Sequence, residues 1–519
     1  MSESRCSACG AGAAGPVLEK RPDFELPPRG TRYLELLSSN DPPEDSDLDV
    51  VHSALSITHA RLSLIDEEIA RVRERLRQLE EEREILLNFR AKNRGILSPL
   101  RKMPSELLSE IFSWTLPSAR NSSLRRGFHT RESPWVLTHV SRQWRAVAVS
   151  NPSLWSLITI TYQAHTNPSS LYPLPMVETQ LARAQKLNLH FFGSETADSS
   201  PQLEIFRCLA NHVSQWEQLS LQLTSDLFPY WDRPGSQANT DALDCFQTAP
   251  SLIDIGIYNE FRMIPISLPV QQLTRYEHDA PWAIHEGILK LAPSLVEAHI
   301  SIKFDEEPWP PTTLETIDLP SLRRLYITAA KVVDYIRVPV LDDLVLACRG
   351  PDESFIVSAL QSLITRSSCS LRCLCFTTWS DVPTAVTILH DTPSIIELRI
   401  IVTQFNSHQV RSLLEALTTT EDVGSEVVAP QLRSISLGCP ERRANTNIEC
   451  DMYSAMVKSR WKAEYCSLTM SSILLRPGPP QAVVLCDLNR LREEGLDFVS
   501  TDGVDASDVM DYWLCRSRY

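Results

Sequence analysis

The sequence predicts an α/β solenoid of stacked strand–helix units, preceded by a small all-α module and a long coiled-coil-type helix. Three observations predict it. Residues 51–92 contain no Gly or Pro, and their apolar residues recur at alternating three- and four-residue steps. Residues 95–160 hold two clusters of large apolar residues at helical spacing around a polar stretch. From residue 175 onward a Leu-x-x-Leu-x-Ile pattern, usually led by Pro, recurs seven times. At 519 residues and 43% hydrophobic content the chain can build several domains and a sizeable core.

Residues 1–50 carry Pro16, Pro22, Pro27, Pro28, Pro42 and Pro43 and the acidic Glu44, Asp45, Asp47 and Asp49. With few large apolar groups to bury, they are expected to form a disordered arm. The helix expected over 51–94 bears Leu62, Ile65, Ile69, Val72, Leu76 and Leu79, then Arg83 out of pattern, then Leu86. That series is a heptad seam, with Glu67 and Arg71 spaced for an i,i+4 ion pair. A seam packs on its own chain, on a second copy or on another partner, so residues 51–92 are a candidate homodimerisation element. Gly95 ends the helix in this reading.

In the 95–160 segment Pro104 suits a first helical turn, and Leu107, Leu108, Ile111 and Phe112 share one face. A polar stretch over 118–132 reads as a loop. Trp135, Val136, Leu137, Val140, Trp144, Val147 and Ala148 then suit a second amphipathic helix, stopped at Asn151-Pro152 ahead of Leu154 and Trp155. So small a unit carries more apolar surface than it can bury, which calls for a partner.

The recurring pattern falls at 252–257, 295–300, 322–327, 341–346, 371–376, 395–400 and 432–437. Each copy alternates apolar and polar residues as a short strand does, while 353–364 and 409–417 carry helical periodicity. One strand–helix unit cannot bury its own apolar face, so the units must stack. The anchors Pro250, Pro293, Pro320 and Pro339 are unevenly spaced, which makes 175–519 an irregular, leucine-rich-repeat-like array. Residues 187–192 and 219–223 are expected to supply its first strands, and 463–470 and 483–498 its last turns.

A net charge of −15 argues against binding nucleic acid or anionic membranes, which requires clustered Lys and Arg. Only 16 Gly against 35 Pro leaves little material for phosphate-cradling loops. There is no Gly-x-x-x-x-Gly-Lys-Ser/Thr loop, no Gly-x-Ser-x-Gly elbow and no His-Glu-x-x-His helix. Thirteen Cys without framework spacing suit reduced thiols in the cytoplasm or nucleus. Cys6 and Cys9 have metal-ligand spacing but no second pair nearby, and Cys369, Cys373 and Cys375 suit packing positions. No apolar run is long enough to span a membrane. The expectation is a non-enzymatic chain without metal or cofactor.

The 100–158 segment resembles the F-box. Its opening, Leu100-x-x-Met103-Pro104-x-Glu106-Leu107-Leu108-x-x-Ile111-Phe112, is similar to the family's Leu-Pro-x-Glu-Leu start, with Met103 replacing the usual Leu. Val140-Ser141-Arg142-Gln143-Trp144 and Asn151-Pro152-x-Leu154-Trp155 resemble its tryptophan-bearing helix and its Pro-x-Leu-Trp close. A heptad helix, an F-box and irregular leucine-rich repeats in that order resemble the F-box-like families of mushroom-forming fungi. The resemblance implies the substrate-recognition subunit of an SCF-type ubiquitin ligase. The F-box would dock on a Skp-family adaptor, which connects to cullin, and the repeats would hold a protein substrate. Carried over by position, the adaptor contacts are Leu100, Met103, Pro104, Leu107, Leu108, Ile111, Phe112, Val140, Trp144, Leu154 and Trp155. Some of these must form the module's own core, Trp144 first among them. The alternative is a non-ligase scaffold whose F-box-like helices cap the solenoid with their apolar ridge turned inward.

Overall fold

The computed structural model describes residues 32–116, 128, 130–162, 172–227, 249–259, 263, 268–305, 309, 316–348, 356–377, 382–403, 406–419, 427–440, 447–476 and 478–514. Cys6, Cys9, most of the expected arm and most of the 118–132 loop lie outside them. The chain divides into two units, Met1–Met103 and Pro104–Tyr519.

The first unit contains helix α1 (Arg32–Ser38) and the 52-residue helix α2 (Asp45–Ile96). Helix therefore begins ahead of the boundary expected at residue 51. Pro42-Pro43 blocks any earlier start, and Glu44 caps the new one: its backbone N–H donates to Asp47 Oδ2 at 3.0 Å. At the other end the helix runs through Gly95 to Ile96. Arg71 pairs with Glu68 at 3.1 Å rather than with Glu67, because one helical turn brings i,i+3 neighbours equally close.

The second unit opens with helices α3 (Ser105–Trp114), α4 (Leu137–Val140) and α5 (Arg142–Ser150). The single helix expected over 135–148 is two. Ser141 is extended, and its hydroxyl accepts from the backbone N–H of Trp144 at 3.1 Å, so it caps α5 and interrupts the run. The Pro152–Trp155 turn leads directly into strand β1 (Leu157–Thr161), a strand the sequence reading left inside the all-α module.

The remaining strands are β2 (Leu187–Phe192), β3 (Trp216–Gln222), β4 (Asp254–Tyr258), β5 (Arg275–Ala280), β6 (Glu297–Ile302), β7 (Ile317–Asp318) and β8 (Arg324–Ile327). They continue with β9 (Ile336–Arg337), β10 (Asp343–Leu346), β11 (Cys373–Phe376), β12 (Glu397–Ile401), β13 (Ser434–Cys439), β14 (Met470–Leu475) and β15 (Asp497–Asp502). Thirteen of them form one parallel sheet in chain order, while β7 and β9 pair separately. Each of the seven recurring segments contributes one strand. The helices are α6 (Leu174–Arg183), α7 (Ser199–Ala210), α8 (Trp282–Leu289), α9 (Ile356–Ser367), α10 (Val382–Asp391), α11 (Ser407–Leu417), α12 (Asn447–Lys462), α13 (Ala482–Glu493) and α14 (Gly503–Trp513). The architecture is a solenoid-like α/β stack.

Alternation along each strand separates two faces of the sheet. On one, Leu189, Leu219, Ile255, Tyr276, Ala298, Leu325, Leu344, Leu374, Leu398 and Ile435 stand in register from strand to strand. Every one is buried. On this side the hydroxyl of Tyr453 on α12 donates to Ile435 O at 2.5 Å. Leu344→Ala should lower unfolding stability by about 2–5 kcal/mol, because the column has no mobile neighbour to fill the void. Val340→Ala, at an exposed position, should change it by under about 0.5 kcal/mol. Urea unfolding followed by circular dichroism checks both.

Candidate protein-docking surfaces

The sequence candidates on α3 divide by face. Leu108 and Phe112 are fully buried, whereas Leu107 is 56% and Ile111 42% exposed. One turn further along the same face Trp114 is 81% exposed, its indole N–H held by Glu110 Oε1 at 3.0 Å. Residues at i, i+4 and i+7 lie in line, so Leu107, Ile111 and Trp114 form an uncovered apolar ridge. Trp114 was missing from the candidates, although its spacing from Ile111 continues the stripe and is the signal that could have found it. Val140 on α4 is also exposed, as is Pro104, the residue that caps α3. Leu100, in the Pro99–Lys102 turn of the first unit, is exposed, and Met103 is half-buried.

Leu154 and Trp155, carried over as adaptor contacts, belong with Leu108 and Phe112 in the interior. The Trp155 indole donates to Ala148 O at 2.8 Å, its ring meets Trp135 edge-on at 5.1 Å, and the Arg183 guanidinium lies 4.3 Å over it. Gln180 on α6 donates to Leu157 O at 2.8 Å. These contacts join the small helices to the first repeat. Trp144, expected first among the candidates to join the core, is only half-buried and rests on Phe112 with ring centroids 4.9 Å apart. The large flat residue nearest the repeats has taken the central place, because the strand that follows it draws it inward.

The sheet face away from the aliphatic column carries charges. Arg275 pairs with Asp254 at 3.0 Å, Glu277 at 2.9 Å and Glu297 at 3.0 Å. Arg324 bridges Glu297 at 3.0 Å and Asp343 at 3.3 Å, and Arg399 bridges Asp343 at 2.9 Å and Glu397 at 2.8 Å. Strand register sets this ladder: Asp254, Arg275, Glu297, Arg324 and Asp343 are successive cross-strand partners. The arrangement keeps buried charges paired, which is a structural task rather than a catalytic one.

Part of this face is covered by α14, a helix absent from the sequence reading. Ala506, Met510, Trp513 and Leu514 are buried with Tyr326, Val345, Cys375, Ile401 and Leu474. Arg324 donates to Tyr512 O at 2.5 Å and lies 4.1 Å from the Tyr512 ring centroid, while Arg399 lies 5.7 Å from that of Trp513. At Gly438 a Cβ would meet Ile401 Cδ1 and Met510 Sδ at 2.8 Å, so only glycine lets the helix approach. Burial raises the Cys373 and Cys375 thiols above the ordinary range, consistent with packing rather than reactivity.

Buried histidines make the repeat unit sensitive to acid. Burial lowers His190 to about 4, with a contribution from the Arg275 charge, and lowers His278 to about 4 and His285 to about 3. Their ordinary value is 6.5, so below it the unfolded chain binds protons that the folded chain does not. Stability is intact above pH 6.5 and is lost as pH falls from there through the folded values.

The chain matches no family model and no curated protein. Among solved structures, a Bacteroides fragilis protein aligns at 11% identity over 66% of this chain and 68% of its own, with a TM-score of 0.26. A likeness of that size carries no argument about fold or function. Among the described residues no helix is long and apolar enough to cross a membrane.

Between pH 6.5 and 4, His190→Gln should flatten the fall in unfolding stability by about 1.4 kcal/mol per pH unit, measured by urea titration at each pH. Gly438→Val should push α14 away from the sheet, seen as faster amide exchange over 503–514 with β1–β6 unchanged.

Proposed function

We propose that this chain is the substrate-recognition subunit of an SCF-type ubiquitin ligase, docking on a Skp-family adaptor through its F-box-like helices and on a protein substrate through its repeats. The observation that carries the reading is the ridge of Leu107, Ile111 and Trp114, which stays uncovered while the opposite face of α3 is buried. Exposed apolar side chains in line on a short, internally packed helix suit a groove on a partner, and the tryptophan suits the centre of such an interface. In this reading the chain supplies no acid, base or nucleophile. It acts by holding a substrate lysine at high effective concentration near a charged enzyme on the cullin, in the cytoplasm or nucleus.

A second reading has a specific observation in its favour. Leu154, Trp155 and Arg183 fasten the helices to the first repeat, as a solenoid cap would be fastened. A scaffold protein with a capped repeat array needs that contact but has no use for the outer ridge.

A binding assay of the full chain with a purified Skp-family adaptor separates the two. Leu107→Asp and Ile111→Asp should abolish binding, and Trp114→Ala should weaken it about 10- to 100-fold. All three should leave the circular dichroism spectrum and unfolding midpoint unchanged. No binding by the folded parent chain would discard the ligase reading in favour of the scaffold.

A further inference from the structure

The apolar stripe of α2 is open along its middle. Leu62, Ile65, Ile69, Val72, Leu76, Leu79 and Leu86 are each 41–58% exposed. α1 lies beside the start of the helix, where Arg32 reaches Asp47 at 3.4 Å. An apolar seam of this length on a helix of 52 residues, about 78 Å at 1.5 Å per residue, is not stable as a solitary surface. We infer that it is covered by the same helix of a second copy of this chain, running antiparallel and in full overlap.

Three features select that occupant and that direction. First, the helix is electrostatically polar. Glu44, Asp45, Asp47 and Asp49 cluster at its start, with no Lys or Arg between Arg32 and Arg61, whereas Arg83, Arg90, Lys92 and Arg94 face only Glu84 at its end. Parallel copies would lay acid on acid and base on base; antiparallel copies lay each acidic start beside a basic end. Second, Arg83 occupies a seam position. In a parallel pair it would face Arg83 of the second copy inside the seam, but in the antiparallel pair it faces Thr58. Third, the midpoint of the Leu62–Leu79 stripe coincides with the midpoint of the helix, between Ala70 and Arg71. Full antiparallel overlap therefore sets Leu62 against Leu79, Ile65 against Leu76, Ile69 against Val72 and Leu86 against Leu55. The flanking charges agree, with Glu68 beside Arg75 and Asp66 beside Arg73, although these would also find partners in a parallel pair. The direction rests on the ends and on Arg83. In the antiparallel pair the two chains leave their helices at opposite ends of the rod, about 78 Å apart.

The inference does not depend on adaptor binding, and its test reads oligomeric state and orientation alone. Light scattering of the full chain at micromolar concentration should give twice the 58.6 kDa chain mass. Ile69→Asp, at an exposed position, should raise the dimer dissociation constant more than 100-fold without loss of helix signal. Orientation is read by mixing a Leu62→Cys chain with a Leu79→Cys chain and identifying cross-linked peptides by mass spectrometry, with the parent chain as control for its native thiols. A 62–79 cross-link is expected. A 62–62 cross-link in the Leu62→Cys chain alone would overturn the orientation, and a monomer or any higher oligomer would overturn the inference.

Discussion

The second unit depends on lateral stacking of parallel strands that cannot exist singly. Each strand of four to seven residues finds its backbone partners only in the strands before and after it, and its inward apolar residue packs on the same position one repeat away. The column from Leu189 to Ile435 is therefore one continuous interaction and not a set of local cores. Deviations in repeat length are absorbed by loops and by the small β7–β9 sheet, which leave the register of the main sheet intact.

A stack of this kind has two ends and two faces, and each needs an answer. At its start Trp155, packed between Trp135 and Arg183, joins the small helices to β1 and β2. On the face opposite the aliphatic column, register places acid and base side by side, so the charges neutralise one another within the sheet. The part of that face where the residues turn apolar, from Tyr326 to Leu474, is covered by α14. Among the described residues, the Leu107–Ile111–Trp114 ridge and the stripe of α2 keep large apolar side chains exposed in line, and the two functional readings rest on them.

The two surfaces use apolar exposure differently. The ridge is short, centred on aromatic and branched side chains, and flanked by buried residues that fix its shape, which suits a pre-formed partner groove. The stripe is long, aliphatic and bordered by alternating charge, which suits another helix of the same pattern. A Skp-family adaptor and a second copy of the chain would thus occupy separate elements without competing for side chains.

The sequence by itself determined the long helix, the location of nine strands (the seven recurring segments with β2 and β3) and the absence of catalytic grammar, because heptad spacing, period-two alternation and motif spacing are local properties carried by consecutive residues. It placed the α3 helix and the apolar residues Leu107, Leu108, Ile111 and Phe112 on it for the same reason. Only the tertiary structure decided which candidates face outward. Leu107 and Leu108 are adjacent and equally apolar, and nothing local distinguishes them; Leu108 is buried and Leu107 exposed because α5 and the Trp155 turn lie on one side of α3. The strands β5, β14 and β15 were missed or misplaced because His, Asp and Ser interrupt their alternation, and stacking against regular neighbours overrides that weak propensity; β1 alternates Ile and Thr but lies inside the span expected to be all-α. The covering of the charged face by α14 was equally invisible in sequence, since it joins residues from Tyr326 to Leu514 whose proximity exists only once the repeats have stacked.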